Sequence, residues 1–232
     1  MYSETSPVQE TSVQLFPRKR HANTLVLIIN DQHAASKKID KSNGAHQKAF
    51  IIFEEIQGIF CTHSVPKFPH LTKKAFKESG NAQHFLGLNI DLDGLITLSD
   101  HLWRTHPEIR FINVPDKYKR IGKIGDISAG KFKDDDGNGV EEFLQRPFET
   151  RAGFKLSIIS RTHSIKRKYS NSIRDYLHEI CGQEFIAQTW RKNAKNCCED
   201  KVKDVNVIEI RGIPPRSIAR TKFCTSNITI FS

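Results

Sequence analysis

No run of about 18 apolar residues occurs anywhere in this chain, which excludes an ordinary membrane-spanning helix. The opening from Met1 to Glu10 is polar, carries Glu4, Pro7 and Glu10, and lacks the basic-then-apolar layout of a secretory signal. Cysteine is sparse and poorly spaced for metal or redox chemistry. The five positions Cys61, Cys181, Cys197, Cys198 and Cys224 match neither a zinc ribbon nor a thioredoxin-type pair, and their odd number leaves at least one thiol unpaired. Adjacent Cys197 and Cys198 are poorly placed to bridge each other, because disulfide geometry wants Cα atoms farther apart than chain neighbours sit. No residue-level internal repeat is present, so any duplication would be structural only.

What the chain does have is length, charge and apolar content. Its 232 residues with 38% hydrophobic side chains are enough to bury a substantial core, as one large domain or two packed lobes. Lys and Arg number 36 against 26 Asp and Glu, a net charge of +10 before any contribution from ten histidines. That balance favours a polyanionic partner, yet many basic soluble proteins bind none, so charge needs a site to give it meaning.

The β-prone run Thr24 to Ile29 is long enough for a strand buried on both faces, and it ends at Asn30-Asp31-Gln32. A polar loop containing Ser42-Asn43-Gly44 leads to His46 and Lys48, then to apolar Ala49 to Phe53, a turn near Gln57-Gly58, and Ile59 to Thr62. This reads as a hairpin with His-x-Lys at its mouth. Phe85 to Ile90 is a further strand, followed by a helix from Leu95 to about Thr105, capped by Asp93 or Gly94 and closed by Pro107. Ile109 to Val114 is strand-like. The stretch from Lys117 to Lys133, basic and followed by Asp134 to Asp136, reads as irregular and exposed. Beyond it, strands are expected at Phe154 to Ser160, Glu184 to Trp190 and Val205 to Ile210, with a helix at Asn171 to Ile180. Strands alternating with helices argue for an α/β fold of mixed α+β layers, with a polar segment over 1–22, a first half over 23–145 and a second over 146–232.

On an extended segment residues i and i+2 share a face, so His46 and Lys48 project together and Gln47 opposes them. An imidazole beside an ammonium suits attack on a phosphodiester. The lysine neutralises a phosphate oxygen while the histidine attacks phosphorus or moves a proton. Two such pairs facing each other would supply a nucleophile, a general acid and two cations with no metal and no cofactor. Taken bare, a tripeptide with two fixed positions is a weak signal, since an exposed histidine near a lysine recurs by chance.

The motifs around it agree in one order. Asn30-Asp31-Gln32, Gly44-x-His46-x-Lys48 and His63-Ser64-Val65-Pro66-Lys67-Phe68-Pro69 resemble the first half of the deoxyribonuclease II family. Asp175-Tyr176-Leu177, Ala187-Gln188-Thr189-Trp190, Asn196-Cys197 and Val205-Asn206-Val207-Ile208 resemble its second half. The resemblance implies a phospholipase D-like fold of two pseudo-twofold-related halves, each giving a His-x-Lys to a shared cleft. It implies a metal-independent acid endonuclease that hydrolyses double-stranded DNA to 3′-phosphates through a phosphohistidine, in a lysosomal or secreted setting, without a membrane partner and compatible with a homodimer. His46, Lys48 and Lys222 match the catalytic positions, and His63, Lys67 and Arg220 are the candidate substrate contacts.

The chain departs from the family pattern in two ways. The second motif should read His-Ser-Lys-Trp-Cys, whereas the fitting segment is Arg220-Thr221-Lys222-Phe223-Cys224. Arginine stays protonated through any working pH, so Arg220 can grip a phosphate but cannot act as an acid or base. The family also extends beyond this chain at both ends, and with those regions go the partners expected for its cysteines, so the fold is expected to be incomplete there. Severely reduced cleavage is therefore expected, unless another histidine such as His163 enters the site. The alternative is an inactive secreted paralogue that binds DNA or another polyanion. Asp134-x-Asp136-x-Asn138-Gly139 imitates a calcium loop, but Gln145 stands where a bidentate glutamate is needed. Arg161, Lys166, Arg167 and Lys168, with Lys117, Lys119, Arg120 and Lys123, could touch phosphates, although solvated surface is the simpler reading of each. Asn227-Ile228-Thr229 is a glycosylation sequon, meaningful in a secreted protein.

Overall fold

The computed structural model describes residues 22–31, 45–66, 83–133 and 143–162, positions 10, 11, 14, 15 and 68, and the backbone of five strands within 185–231. The chain divides into two units, one of Met1–Ile165 with Lys222–Ser232, the other of Lys166–Thr221.

In the first unit, five antiparallel strands form one sheet. They are β1 (Thr24–Asn30), β2 (Lys48–Glu54), β3 (Gln57–His63), β4 (Phe85–Asp91) and β5 (Ile109–Asn113), in the order β4-β3-β2-β1-β5. The central place of β1 explains its unbroken apolar run. Leu25, Leu27 and Ile29 point to one core cluster and Val26 and Ile28 to the other, and every residue of the strand is buried. The β2–β3 hairpin turns at Glu55 and Ile56, with Glu55 in the left-handed region at φ 53°.

Helix α1 (Leu92–Thr105) follows β4 directly. Its buried Leu95, Leu98 and Leu102 recur at helical spacing and pack in the larger cluster with Phe53, Phe60 and Ile90. The cap lies earlier than Asp93 or Gly94. Asp91, extended at the end of β4, accepts the Gly94 N–H at 2.9 Å, so strand end and helix cap are the same residue. His106, left-handed at φ 51°, ends the helix before Pro107.

The segment 116–133 is more ordered than its charge suggested. A 3₁₀ turn (Asp116–Tyr118) and the short helix α2 (Ile124–Ser128) insert Tyr118, Ile124 and Ile127 into the larger cluster, with Tyr118 edge-on to Phe53 at 5.8 Å. A second antiparallel sheet holds β6 (Phe143–Glu149), β7 (Lys155–Arg161), β11 (Phe223–Thr225) and β12 (Ile228–Phe231), ordered β11-β12-β7-β6. Phe148 of β6 and Ile158 of β7 join the same core, and His101 Nδ1 of α1 lies 2.7 Å from Ser160 Oγ of β7.

The second unit contains a three-stranded sheet of β8 (Phe185–Thr189), β9 (Cys197–Glu199) and β10 (Val202–Asn206), with β10 parallel to β8 and antiparallel to β9. Strand β10 begins three residues before the expected Val205. The expected helix at Asn171 to Ile180 lies outside the described residues. The protein is thus mixed α/β, with mainly antiparallel sheets, one parallel strand pair and few helices among the described residues. None of those helices is long and apolar enough to cross a membrane.

Candidate active site

The site forms where β1 ends and β2 begins. Antiparallel register sets Asn30 opposite Lys48, and the bend at Asp31 turns its carboxylate toward the incoming strand. Asp31 Oδ1 accepts from Lys48 Nζ at 2.6 Å, and its Oδ2 bonds His46 Nδ1. One carboxylate therefore holds both members of the His-x-Lys pair. Gln47 faces away, buried at 1% exposure, with its Oε1 accepting from Thr105 Oγ1 of α1 at 3.5 Å. The alternation expected from an extended segment is present, and α1 anchors the opposite face.

Burial divides the roles. The His46 side chain is 63% exposed, whereas those of Lys48 and Asp31 are 6% and 10% exposed. Burial tends to raise the Asp31 pKa, but hydrogen bonds from His46 and Lys48, with their charges, hold it below the ordinary carboxylate range. An ionised carboxylate only accepts hydrogen bonds, so Nδ1 of His46 must carry the proton it shares. In the neutral form of that imidazole the lone pair lies on Nε2, the atom that would attack or take a proton. Lys48 brings an ammonium group to the other oxygen of the same carboxylate.

The backbone that carries Asp31 is tied on several sides. Asn30 Nδ2 donates to the Phe68 carbonyl at 2.6 Å, Asn30 N donates to the Glu108 carbonyl at 3.1 Å, and Arg110 Nε donates to the Asn30 carbonyl at 2.6 Å. Glu108 in turn pairs with Arg110 at 2.7 Å. On the other strand, Ala45 N donates to the His106 carbonyl at 3.0 Å, which fixes the lead-in to His46.

His63, the candidate substrate contact, is buried. It is 1% exposed, stacks on Phe85 at 5.5 Å, meets Phe68 edge-on at 5.1 Å, and accepts the Val65 N–H on Nδ1 at 3.2 Å. Burial first, then the charges of Lys48 and His84, push its pKa down to about 3, so it stays neutral. Its described contacts are aromatic packing and the one hydrogen bond from Val65. Cys61 is a buried free thiol pushed up to about 12 by burial, which leaves it inert. Lys67, His163, Arg220, Lys222 and Asn227 lie outside the described residues. Among the described residues, no three His, Cys, Asp or Glu side chains gather into a metal-ligating group.

Asp31 is the residue that sequence reasoning passed over. It stood in the Asn-Asp-Gln motif without a role, because its two partners lie 15 and 17 positions away and only strand register brings them together. A carboxylate ending one strand opposite a His-x-Lys opening the next is the signal that could have found it.

An exposed imidazole bonded to a carboxylate that also binds a buried ammonium has the chemistry suited to nucleophilic or acid–base work on an anionic group. The chain belongs to the deoxyribonuclease II family, whose family model matches residues 1–227. It is 29% identical over 122 residues to Deoxyribonuclease-2-beta of Rattus norvegicus, covering 50% of this chain and 34% of that protein. It is 23% identical over 154 residues to Deoxyribonuclease-2 of Caenorhabditis elegans, covering 65% of this chain and 39% of that protein. Plancitoxin-1 of Acanthaster planci is 28% identical over 109 residues, 45% of this chain and 30% of that protein. The matches span 30 to 39% of these relatives' lengths.

Proposed function

We infer that this chain is a deoxyribonuclease II-type hydrolase acting on double-stranded DNA, with its cleavage severely reduced by the arginine at position 220. The observation that carries the reading is the single carboxylate of Asp31 bonded to both His46 and Lys48. In this reading Nε2 of His46 attacks phosphorus, a P–N bond forms, and the bond from phosphorus to the 5′ oxygen breaks. Water then attacks phosphorus and breaks the P–N bond, leaving a 3′-phosphate and restoring the imidazole.

The departing 5′ oxygen needs a proton. In the family pattern the second histidine supplies it, and Arg220 at that position keeps its own proton at any working pH. Loss of one general acid typically costs about 10²–10⁴ in rate. Lys48 and Lys222 would neutralise phosphate oxygens, while Arg220 and Lys67 would hold the flanking backbone. The phospholipase D-like pairing of two halves, a lysosomal or secreted location, and a homodimer compatible with it belong to the same reading. The arginine favours a second one, an inactive secreted paralogue that binds DNA or another polyanion.

Plasmid nicking at mildly acidic pH in a chelator tests both, comparing the chain with Arg220→His and with His46→Ala in each background. The expected result is little cutting by the chain, a gain of about 10²–10⁴ in Arg220→His, and abolition when His46→Ala is added. Cutting by the unaltered chain at the restored rate, or cutting indifferent to His46, would overturn the reading. Silence from every variant would favour the inactive paralogue.

A further inference from the structure

The segment 116–133 carries six basic side chains, Lys117, Lys119, Arg120, Lys123, Lys131 and Lys133, against two acidic ones, Asp116 and Asp126. Both acids are engaged locally, Asp116 with Lys119 at 2.7 Å and Asp126 with Lys123 at 3.9 Å. Arg120, Lys131 and Lys133 make no ion pair among the described residues. These cations are held in place rather than strung along a loose loop. Tyr118, Ile124 and Ile127 of the same segment are buried, and Lys123 N donates to Ser99 Oγ of α1 at 2.9 Å. Gly122, at φ 48°, lies so close to α1 that a Cβ would stand 2.4 Å from Ser99 Oγ.

Two ammonium groups share one aromatic ring. Lys123 Nζ lies 4.3 Å and Lys133 Nζ 5.5 Å from the Trp103 ring centroid, so the two charges stand within about 10 Å of each other, roughly one Debye length at 0.1 M salt. Such a like-charge group gains from an anion between its members. The cluster also reaches the candidate active site through covalent and hydrogen-bonded steps. His106 Nε2 donates to the Lys133 carbonyl at 2.7 Å, and the His106 carbonyl accepts from Ala45, the neighbour of His46. Lys133 N also donates to the Trp103 carbonyl at 3.2 Å.

We propose that Lys133, Lys131, Lys123 and Arg120 form a cationic track that leads away from His46 and grips the backbone phosphates of duplex DNA flanking the scissile bond. The proposal rests on the DNA reading given above. The lysines carry no base-reading geometry, so the contacts position the duplex without choosing its sequence. The aspartates at 134 to 136 lie outside the described residues, and binding by the whole chain includes whatever they oppose.

The test is the salt dependence of binding between the whole chain and a short blunt duplex, read by fluorescence anisotropy. Each lost phosphate contact lowers the slope of log K against log salt by about 0.9, so Arg120→Ala/Lys123→Ala/Lys133→Ala lowers it by about 2 to 3. Lys123→Arg/Lys133→Arg keeps the slope. Should the triple variant lose its fold by circular dichroism, Arg120→Ala/Lys131→Ala, which alters exposed side chains only, decides instead with a loss of about 2. An unmoved slope in a folded variant overturns the proposal, as does a chain that binds no duplex. Nicking that depends on His46 with an unmoved slope would sink the track and leave the catalytic reading standing. Binding through these cations without any nicking, even in Arg220→His, would do the reverse.

Discussion

Asp31 carries more of the site than either residue of the motif it serves. It keeps Lys48 in a buried place where an unpaired ammonium would be strongly disfavoured, and it fixes which nitrogen of His46 faces outward. Removing one partner of a buried ion pair typically costs about 3–5 kcal/mol, because the remaining charge is left desolvated. Asp31→Asn should therefore lower stability by about 3 kcal/mol in urea denaturation. Asp31→Asn/Lys48→Met, which removes both charges, should recover most of that loss. A single variant as stable as the parent would show that Lys48 finds water or another partner. In the Arg220→His background, Asp31→Asn should also lower nicking, since the amide can donate to Nδ1 and so favour the wrong tautomer.

At the scale of elements, α1 links the parts that matter: its N-terminus is capped by the end of β4, its middle meets β7 through His101, and its C-terminus receives both Ala45 and Lys133 at His106. Asp91→Ala should cost about 1 kcal/mol through the lost cap. Gly94→Ala should add strain, because a Cβ there would meet Phe148 Cε2 and Ile90 Cβ at 3.2 Å. Thermal melts of the two variants check both effects, and an unshifted Asp91→Ala melt would show that another group caps the helix. Much of this element was legible, since Leu95, Leu98 and Leu102 announce a helical stripe and β1 a doubly buried strand. Strand β6 was not. Its sequence Phe-Leu-Gln-Arg-Pro-Phe-Glu mixes charge with Pro147, and only its place at the edge of the sheet makes the proline tolerable. The buried Tyr118, Ile124 and Ile127 were hidden for a related reason. They are too few and too widely flanked by lysine to show a period, and their burial depends on the core formed by distant strands. His46 and Lys48 could be read as a pair from spacing alone, whereas Asp31 required the register of β1 against β2.

The whole molecule bears a net charge of +10, and among the described residues burial disfavours the charged forms of His63, His84 and His101, most strongly for His63 and His101. Burial, with the charges of Lys48 and His84, lowers the His63 pKa to about 3; burial, with Arg146 and Arg104, does the same for His101. An unfolded chain would protonate both below about 6.5, while the folded chain resists until about 3, so the unfolded state binds more protons throughout that window. Stability is therefore full above pH 6.5 and falls on acidification, by about tenfold in the folding equilibrium per pH unit for each histidine. Asp31 behaves differently. Its lowered pKa contributes stability above 3.8 that is lost only as pH drops through the still lower folded value, beneath most of the histidine window. On acidification the buried histidines thus limit folding before the Asp31 carboxylate does. Urea denaturation across pH 7 to 4 should show a smaller loss of stability in His101→Gln, which can still bond Ser160, than in the parent. A variant that loses stability with pH as steeply as the parent would show that His101 gains its proton without unfolding, and that α1 and β7 can open locally to admit it.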